Sequence, residues 1–268
     1  MRSSKGHRDA RSLIDRALCV ELHGDIRTAD QLRLDPRGFD NVILSTGIVP
    51  RRPPIPGLDH PKVAGYVEIV EGRKIAGTRV AIVGAGGIGF DVAEFLTAGE
   101  SADGHASDGR ADDPAIAAFR AEWGIDSDYA TRGGLKLAAK PGVPSPFPRS
   151  PRQLWLLQRK SSKVGESLAK TTGWIRRTLL RRRGVKMLSG VEYVKIDDAG
   201  LHIVVDGAPQ VLDVDTVVIC AGQEPQRQLV AALEAAGIKP QLIGGADVAV
   251  ELDAKRAVDQ GTRVAMTL

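Results

Sequence analysis

Short apolar runs, each followed by a turn of small residues, recur along the chain. The four clearest are Val42–Leu44, Arg79–Val83, Gln153–Leu157 and Asp215–Cys220. Runs of this length with little polar interruption are typical of parallel strands buried on both faces. The second run continues through a glycine turn into helical spacing. The pattern therefore predicts an α/β protein with a parallel sheet.

Two stretches depart from this alternation of strand and helix. Residues 99–150 are rich in Gly, Asp, Ala and Pro, and they far exceed an ordinary Rossmann connection, so we expect an insertion or lid there. Farther along, Glu192–Ile196 and Leu201–Val205 flank an Asp-Asp-Ala-Gly turn. That arrangement predicts a β-hairpin.

Two of the predicted strands end alike. Val42–Pro50 and Val218–Pro225 each pass from an apolar strand through two small residues to a Gly-x-x-Pro ending. Such endings suit the closing strand of a dinucleotide-binding domain, where the backbone passes close to a ligand. We therefore expect two Rossmann-like domains, the first incomplete at its N-terminus because only one opening glycine fingerprint is present. The predicted boundaries are 1–75 with 224–268, and 76–223 with the insertion at about 99–150.

The glycine fingerprint is Gly84-x-Gly86-x-x-Gly89, which follows an apolar strand and opens an amphipathic helix. The glycines allow a tight turn, close approach of a pyrophosphate and close packing of helix on strand. The competing interpretation is a flexible glycine loop in an ordinary α/β protein. We favour the dinucleotide site, and its candidate residues are Gly84, Gly86, Gly87, Ile88 and Gly89.

The end of the next strand indicates which nicotinamide cofactor binds. An NAD site places Asp or Glu there to bind the ribose hydroxyls. This chain instead has Gln158, Arg159 and Lys160, and cations suit the 2′-phosphate of NADPH. A solvated basic strand end is the alternative. We expect NADPH to be preferred over NADH.

A second candidate cofactor motif lies near the end of the sequence. Ile243–Asp247 precedes a helical pattern over Val248–Ala257. A strand ending in Gly-Asp before a helix is typical of flavin domains, because the carboxylate binds a hydroxyl while the helix N-terminus faces phosphate. Asp247 and Val248 are thus candidate flavin-binding residues. The alternative, compatible with the first, is that Asp247 caps the helix.

Composition narrows the function classes. The chain has 268 residues, 43% hydrophobic and 26% charged, with a net charge of +4, which excludes a disordered or polyacidic chain. The arginine run at Arg176–Arg183 has few aromatics near it, so nucleic-acid binding is disfavoured. Scattered histidines and two distant cysteines, Cys19 and Cys220, predict neither a metal site nor a redox disulfide. With no predicted membrane span or signal peptide, we expect a cytoplasmic protein.

Eight stretches together carry a family resemblance, and they include part of the insertion. They are Ser45–Arg51, Pro56–Val63, Gly84–Asp91, Glu122–Asp126, Pro148–Gln153, Leu157–Lys160, Lys170–Ile175 and Ile219–Pro225. They resemble the C-terminal half of bacterial NADPH-dependent 2,4-dienoyl-CoA reductases, barrel-fused flavoproteins of fatty acid β-oxidation. The resemblance runs from about Thr28 to the end of the sequence.

The resemblance implies an electron path. In that family NADPH reduces FAD, and electrons pass through an iron–sulfur cluster to FMN in an N-terminal barrel. It implies that this chain holds the NADPH domain and the closing part of a flavoprotein-disulfide-reductase-like FAD domain. Further candidate cofactor-binding residues are Ile26, Thr46, Gly47 and Gly222. The 268 residues contain no match to the barrel, to the four-cysteine cluster motif or to the first FAD fingerprint of that family, so FAD binding is an open expectation.

The resulting expectation is an oxidoreductase segment that passes hydride from NADPH to FAD. A separate FMN and iron–sulfur barrel subunit is the expected partner, with neither nucleic acid nor a membrane involved. No catalytic residue is carried over, because the acid and base that protonate substrate belong to the barrel. The alternative is a catalytically incomplete fragment, or a non-enzymatic NADPH-binding module.

Overall fold

The computed structural model describes residues 41–98, 113–134, 149–250 and 254–268. These residues belong to two compact units. One contains residues 41–49 and the chain from Gln223 onward, and the other is Pro50–Gly222.

The described residues form twelve strands and six helices. The strands are β1 (Ile43–Leu44), β2 (Ile48–Pro50), β3 (Val63–Gly65), β4 (Arg79–Val83), β5 (Gln153–Leu157), β6 (Lys186–Leu188), β7 (Glu192–Asp197), β8 (Gly200–Val205), β9 (Ala208–Leu212), β10 (Thr216–Ile219), β11 (Gln223–Pro225) and β12 (Gln241–Leu242). The helices are α1 (Tyr66–Val70), α2 (Gly87–Thr97), α3 (Pro114–Trp123), α4 (Gly173–Arg182), α5 (Val230–Ala235) and α6 (Ala254–Ala265), with a 3₁₀ turn at Gly244–Ala246.

A five-stranded sheet forms the centre of the Pro50–Gly222 unit. Its order is β3-β10-β4-β5-β6, and all neighbouring pairs are parallel. Strand β4 lies between β10 and β5, with Ile82 opposite Val218 on one side and Leu156 on the other. The apolar run at Arg79–Val83 becomes this strand because nearly every side chain in it is buried.

The two faces of this sheet are covered by different layers. Val80 and Ile82 point to one face, where they pack with Phe90 and Leu96 of α2. Ala81, Val83 and Trp155 point to the other face, where they pack with β7 and β8 through residues such as Leu201. Strands β7, β8 and β9 form an antiparallel sheet of their own. Successive side chains of a strand point to opposite faces, so alternate residues of β4 belong to two separate apolar clusters.

The other unit is built from short elements. Strands β1 and β12 are parallel, with Leu44 opposite Leu242, and β2 pairs with β11. Leu44 and Leu233 of α5 are the buried residues of its small apolar cluster. Helix α6 contacts the 3₁₀ turn.

The predicted α/β fold with a parallel sheet is confirmed, and so is the predicted hairpin, which is β7–β8. The boundary between the units falls at Val49 and Pro50, whereas the sequence predicted it after residue 75. The reason is that β3 pairs with β10 along Val63–Gly65, which joins the segment to the larger unit. Within the described residues, no helix has the length and hydropathy needed to cross a membrane.

Candidate functional site

The glycine turn joins β4 to α2, and two of its glycines are required by close packing. Gly84 has φ +111°, and a Cβ there would lie 2.2 Å from the carbonyl oxygen of Cys220. A Cβ on Gly89 would lie 1.9 Å from the carbonyl oxygen of Gly84. Neither position tolerates a side chain without movement of backbone, so these glycines shape the turn itself.

The two middle glycines of the turn are open. A Cβ on Gly86 or Gly87 would meet nothing within 4 Å, so packing within the chain does not require glycine there. Helix α2 begins at Gly87, and its N-cap residue is Gly86, which has no side chain to cap the first amides. The first amides of a helix have no intrahelical acceptor, and that end carries partial positive charge. This open backbone fits a pyrophosphate, whereas Ile88 is half-buried against the core.

The basic strand end lies beside this turn. The Gly84 amide donates to the carbonyl oxygen of Leu157 at 3.0 Å, which brings the last residue of β5 next to the first glycine. Gln158, Arg159 and Lys160 follow directly. Arg159 and Lys160 are exposed. The structure therefore brings together the two halves of the predicted NADPH site.

Gln158 has a different position from its two basic neighbours. Its side-chain amide donates to the Ser162 carbonyl oxygen at 2.8 Å and to the Lys160 carbonyl oxygen at 3.1 Å. The Gly190 amide also donates to the Lys160 carbonyl oxygen, at 2.9 Å. Gln158 thus holds the loop that presents the cations.

The residue that follows β10, Cys220, lies next to the glycine turn. The Cys220 amide donates to the carbonyl oxygen of Val83 at 2.8 Å, and the Cys220 side chain is buried. Burial raises the pKa of the Cys220 thiol to about 12. At neutral pH the group is therefore a protonated thiol of the core and a poor nucleophile.

Gly222 is held by a residue that the sequence analysis did not single out. The Arg51 amide donates to the Gly222 carbonyl oxygen at 3.0 Å, and the Arg51 guanidinium donates to the carbonyl oxygen of Ala221. A Cβ on Gly222 would lie 3.4 Å from that guanidinium. The only sequence signal for this contact was that Arg51 follows the proline of the matching Gly-x-x-Pro ending.

In the smaller unit, the predicted flavin residues come from two turns that meet. A Cβ on Gly245 would lie 2.6 Å from Cγ2 of Ile48 and 3.0 Å from the carbonyl carbon of Gly47. The Thr46 hydroxyl donates to the Gln226 carbonyl oxygen at 2.5 Å, and the Gln226 amide donates to the Gly47 carbonyl oxygen at 3.1 Å. The structure therefore places Gly47 against the turn that ends at Asp247, while the Thr46 hydroxyl is bonded to Gln226.

Asp247 is half-exposed at the end of the 3₁₀ turn. Its Oδ2 accepts a hydrogen bond from Nε2 of Gln260 at 2.7 Å. Arg227 donates to the carbonyl oxygens of Ala246, at 2.7 Å, and of Asp247. Sequence reasoning missed Gln260 and Arg227, because nothing local marks a bond between residues this far apart in the chain.

One expectation at this turn is wrong. The helical pattern was predicted to start at Val248, with capping of that helix as the alternative role of Asp247. Among the described residues, the helix starts at Ala254, so Asp247 does not cap it. The Arg227 bonds hold the carbonyls of the turn, and Val248 is exposed. The last predicted flavin residue, Ile26, lies outside the described residues.

The sequence and the fold of this chain are similar to those of known proteins. Residues 25–255 match the sequence profile of the pyridine nucleotide-disulphide oxidoreductase family. A metal reductase of Desulforamulus reducens is 24% identical over 196 residues, which cover 73% of this chain and 26% of that protein. The chain therefore spans about a quarter of the length of this curated relative.

Solved structures give the same fold. A complex of 2-naphthoyl-CoA reductase with 2-naphthoyl-CoA superposes with a TM-score of 0.63 at 18% identity, covering 90% of this chain and 28% of that one. Histamine dehydrogenase from Rhizobium sp. 4-9 has a TM-score of 0.59 at 16% identity, covering 91% and 32% of the two chains. At these identities the likeness shows the fold alone.

Proposed function

The chain belongs to the pyridine nucleotide-disulphide oxidoreductase family, and from this premise we propose that it binds NADPH and FAD and takes electrons from NADPH. We propose further that it is the electron-input part of an oxidoreductase that resembles 2,4-dienoyl-CoA reductase. The family implies a flavin-associated oxidoreductase that uses NAD(P)H, and the finer assignment is a proposal from particular residues.

The observation that carries the NADPH half is the open backbone at Gly86 and Gly87. These glycines lie at the start of α2, beside a loop that exposes Arg159 and Lys160. An anion at the helix start gains unpaired amides and the positive end of the helix dipole. The two cations then supply charge-assisted hydrogen bonds for a second phosphate. NADH lacks that phosphate, so we propose NADPH as the physiological donor.

The FAD half rests on the smaller unit, where Gly47 packs on Gly245 in the turn that ends at Asp247, and where Thr46 and Gly47 both bond to the backbone of Gln226. Asp247 has a carboxylate oxygen available for a ligand hydroxyl, and the packing of Gly245 on Gly47 leaves no room for a Cβ between the turns. These features fit a flavin nucleotide. When bound, FAD would supply the hydride-accepting ring, and this chain's residues would bind and orient it. Cys220 takes no part as a redox thiol, because burial keeps it protonated.

Substrate and partner are proposed from the resemblance alone. The eight matching stretches favour a dienoyl-CoA as the final acceptor, reached through a separate polypeptide with FMN and an iron–sulfur cluster. The likeness to 2-naphthoyl-CoA reductase is one of fold and does not by itself assign a substrate. We propose no catalytic residue in this chain for the reduction of the acyl-CoA.

The first test is a visible absorption spectrum of the purified chain supplied with FAD, before and after anaerobic NADPH. We expect a flavin band that bleaches with NADPH and bleaches more slowly with NADH at equal concentration. A chain that binds NADPH but never FAD would support the alternative, a nucleotide-binding module without turnover. Failure to bind NADPH would overturn the proposal.

A further inference from the structure

The side-chain amide of Gln260 forms one hydrogen bond through its oxygen and one through its nitrogen. Both go to the turn Gly244–Asp247, here called the flavin turn. Its Oε1 accepts from the backbone amide of Gly244 at 2.8 Å, and its Nε2 donates to Oδ2 of Asp247 at 2.7 Å. We infer that Gln260 is a positioning residue, which orients the Asp247 carboxylate for a hydroxyl of the flavin nucleotide. This inference rests on the proposed function, since it needs FAD to bind at this turn.

The partners of Gln260 determine which way its amide faces. A backbone amide can only donate, so it requires Oε1, and a carboxylate can only accept, so it requires the NH₂ group. The two bonds therefore hold Gln260 in a single orientation. They also connect Gly244, the first residue of the flavin turn, to Asp247, its last.

The bond to Asp247 restricts the remaining freedom of that residue. Its backbone is already held, because Arg227 donates to the carbonyl oxygens of Ala246 and Asp247 and the Asp247 amide donates to Gly244. Gln260 then limits rotation of the Asp247 carboxyl group. Within the described residues, Gln260 is the side chain that bonds this carboxylate, through Oδ2, which leaves Oδ1 for a ligand.

A neutral donor suits this role better than a charged one. A lysine or arginine at position 260 would neutralise the carboxylate and compete for Oδ1. A carboxamide fixes one oxygen and leaves the full negative charge on the group, which makes a strong acceptor for a hydroxyl. Fixing it before the ligand arrives lowers the ordering cost of binding.

The test is a double-mutant cycle on FAD affinity, measured by quenching of FAD fluorescence in titrations of the full chain. Gln260→Leu removes both bonds, and Gln260→Glu keeps an acceptor for Gly244 but places a carboxylate against Asp247. We expect Gln260→Leu to raise the Kd for FAD about tenfold, the size typical of one hydrogen bond to a charged group. Gln260→Glu is expected to raise it at least as much.

The second arm of the cycle separates positioning from general support of the helix. In an Asp247→Ala background, Gln260→Leu is expected to change the Kd less than about twofold, because its effect runs through the missing carboxylate. Thr262→Glu is the matched control, since it adds the same charge at an exposed position of α6. That control is expected to bind FAD like the wild type.

The outcomes distinguish the inference from the proposed function. Equal effects of Gln260→Leu in both backgrounds, or no effect in either, would overturn the positioning role while FAD binding stands. A wild-type chain that binds NADPH but not FAD would overturn the flavin half of the proposed function, and this inference with it. Thermal unfolding of each variant without FAD checks that the reference state is folded.

Discussion

A single methyl group at the glycine turn should separate ligand binding from folding. Gly86→Ala places a Cβ where nothing lies within 4 Å, so we expect a stability loss below about 1 kcal/mol, the scale of an N-cap change. If NADPH binds as proposed, the same methyl group would occupy space that its pyrophosphate needs. NADPH affinity, measured by titration calorimetry, is therefore expected to fall at least tenfold.

Gly84→Ala is the contrasting variant. Its Cβ would lie 2.2 Å from the Cys220 carbonyl oxygen, and the residue would have to keep a φ of +111°. We expect a loss of about 3 kcal/mol in the free energy of unfolding by urea. If Gly84→Ala were stable and Gly86→Ala unfolded, the roles given to the two glycines would be reversed.

The cations after β5 give a prediction about cofactor choice. Replacing Arg159 and Lys160 together by Ala should raise the Kd for NADPH about tenfold or more, by the loss of charge-assisted hydrogen bonds. The Kd for NADH should change little, because its ribose carries no phosphate. Lys239→Ala, a change at an exposed site in the other unit, controls for lost positive charge. Parallel losses for both nucleotides would contradict a 2′-phosphate site.

At the scale of elements, one aspartate joins the beginnings of two strands. Oδ2 of Asp215, just before β10, accepts from the Arg79 amide at 2.9 Å, and its Oδ1 accepts from the Arg79 guanidinium at 2.6 Å. The hydrogen bonds of the Arg79 side chain and then of its amide hold the pKa of Asp215 well below its ordinary value. The charged carboxylate is therefore the form that favours the folded state.

The sign of the pH effect follows from that depressed pKa. The stabilisation is fully present above the unfolded pKa of about 3.9 and is lost as the pH falls below it toward the folded value. Asp215→Asn should therefore unfold at lower urea than the wild type at pH 7. The difference should begin to shrink as the pH falls through about 4 and should keep shrinking as the pH is lowered further. A difference independent of pH would show that the carboxylate charge is not what stabilises this strand junction.

Some of these strands and helices could be predicted from the sequence, and others could not. Three of the four apolar runs became central strands of the five-stranded sheet, because burial on both faces leaves a strong local signal, whereas the first became the short strand β1 with Ile43 exposed. Strand β3 gave no such signal, because three residues, Val63–Gly65, become a strand only through pairing with β10. Val248, which was predicted to begin a helix, is not helical, and the Arg227 side chain donates to the carbonyl oxygens of Ala246 and Asp247 just before it. Contacts between distant residues, such as Gln260 with Asp247, are set by the fold and leave no local pattern.

On the scale of the whole molecule, the two units separate the two proposed ligands. The glycine turn and the cations lie in Pro50–Gly222, and the turn that ends at Asp247 lies in the other unit. NADPH binding should therefore survive changes at the flavin turn. In the Asp247→Ala variant, we expect an unchanged Kd for NADPH together with weakened FAD binding. Loss of both ligands together would indicate that one site depends on the other.

The last prediction concerns what these 268 residues can do on their own. With FAD and NADPH, the chain should reduce a small artificial acceptor such as ferricyanide, because that needs only hydride transfer to the flavin ring and release of electrons. It should leave a 2,4-dienoyl-CoA unreduced, since the resemblance assigns the protonation of that substrate to a barrel. Absorbance assays of the two acceptors check this. Reduction of the dienoyl-CoA by the chain alone would contradict the division of labour, and reduction only after addition of a barrel polypeptide with FMN and an iron–sulfur cluster would support it.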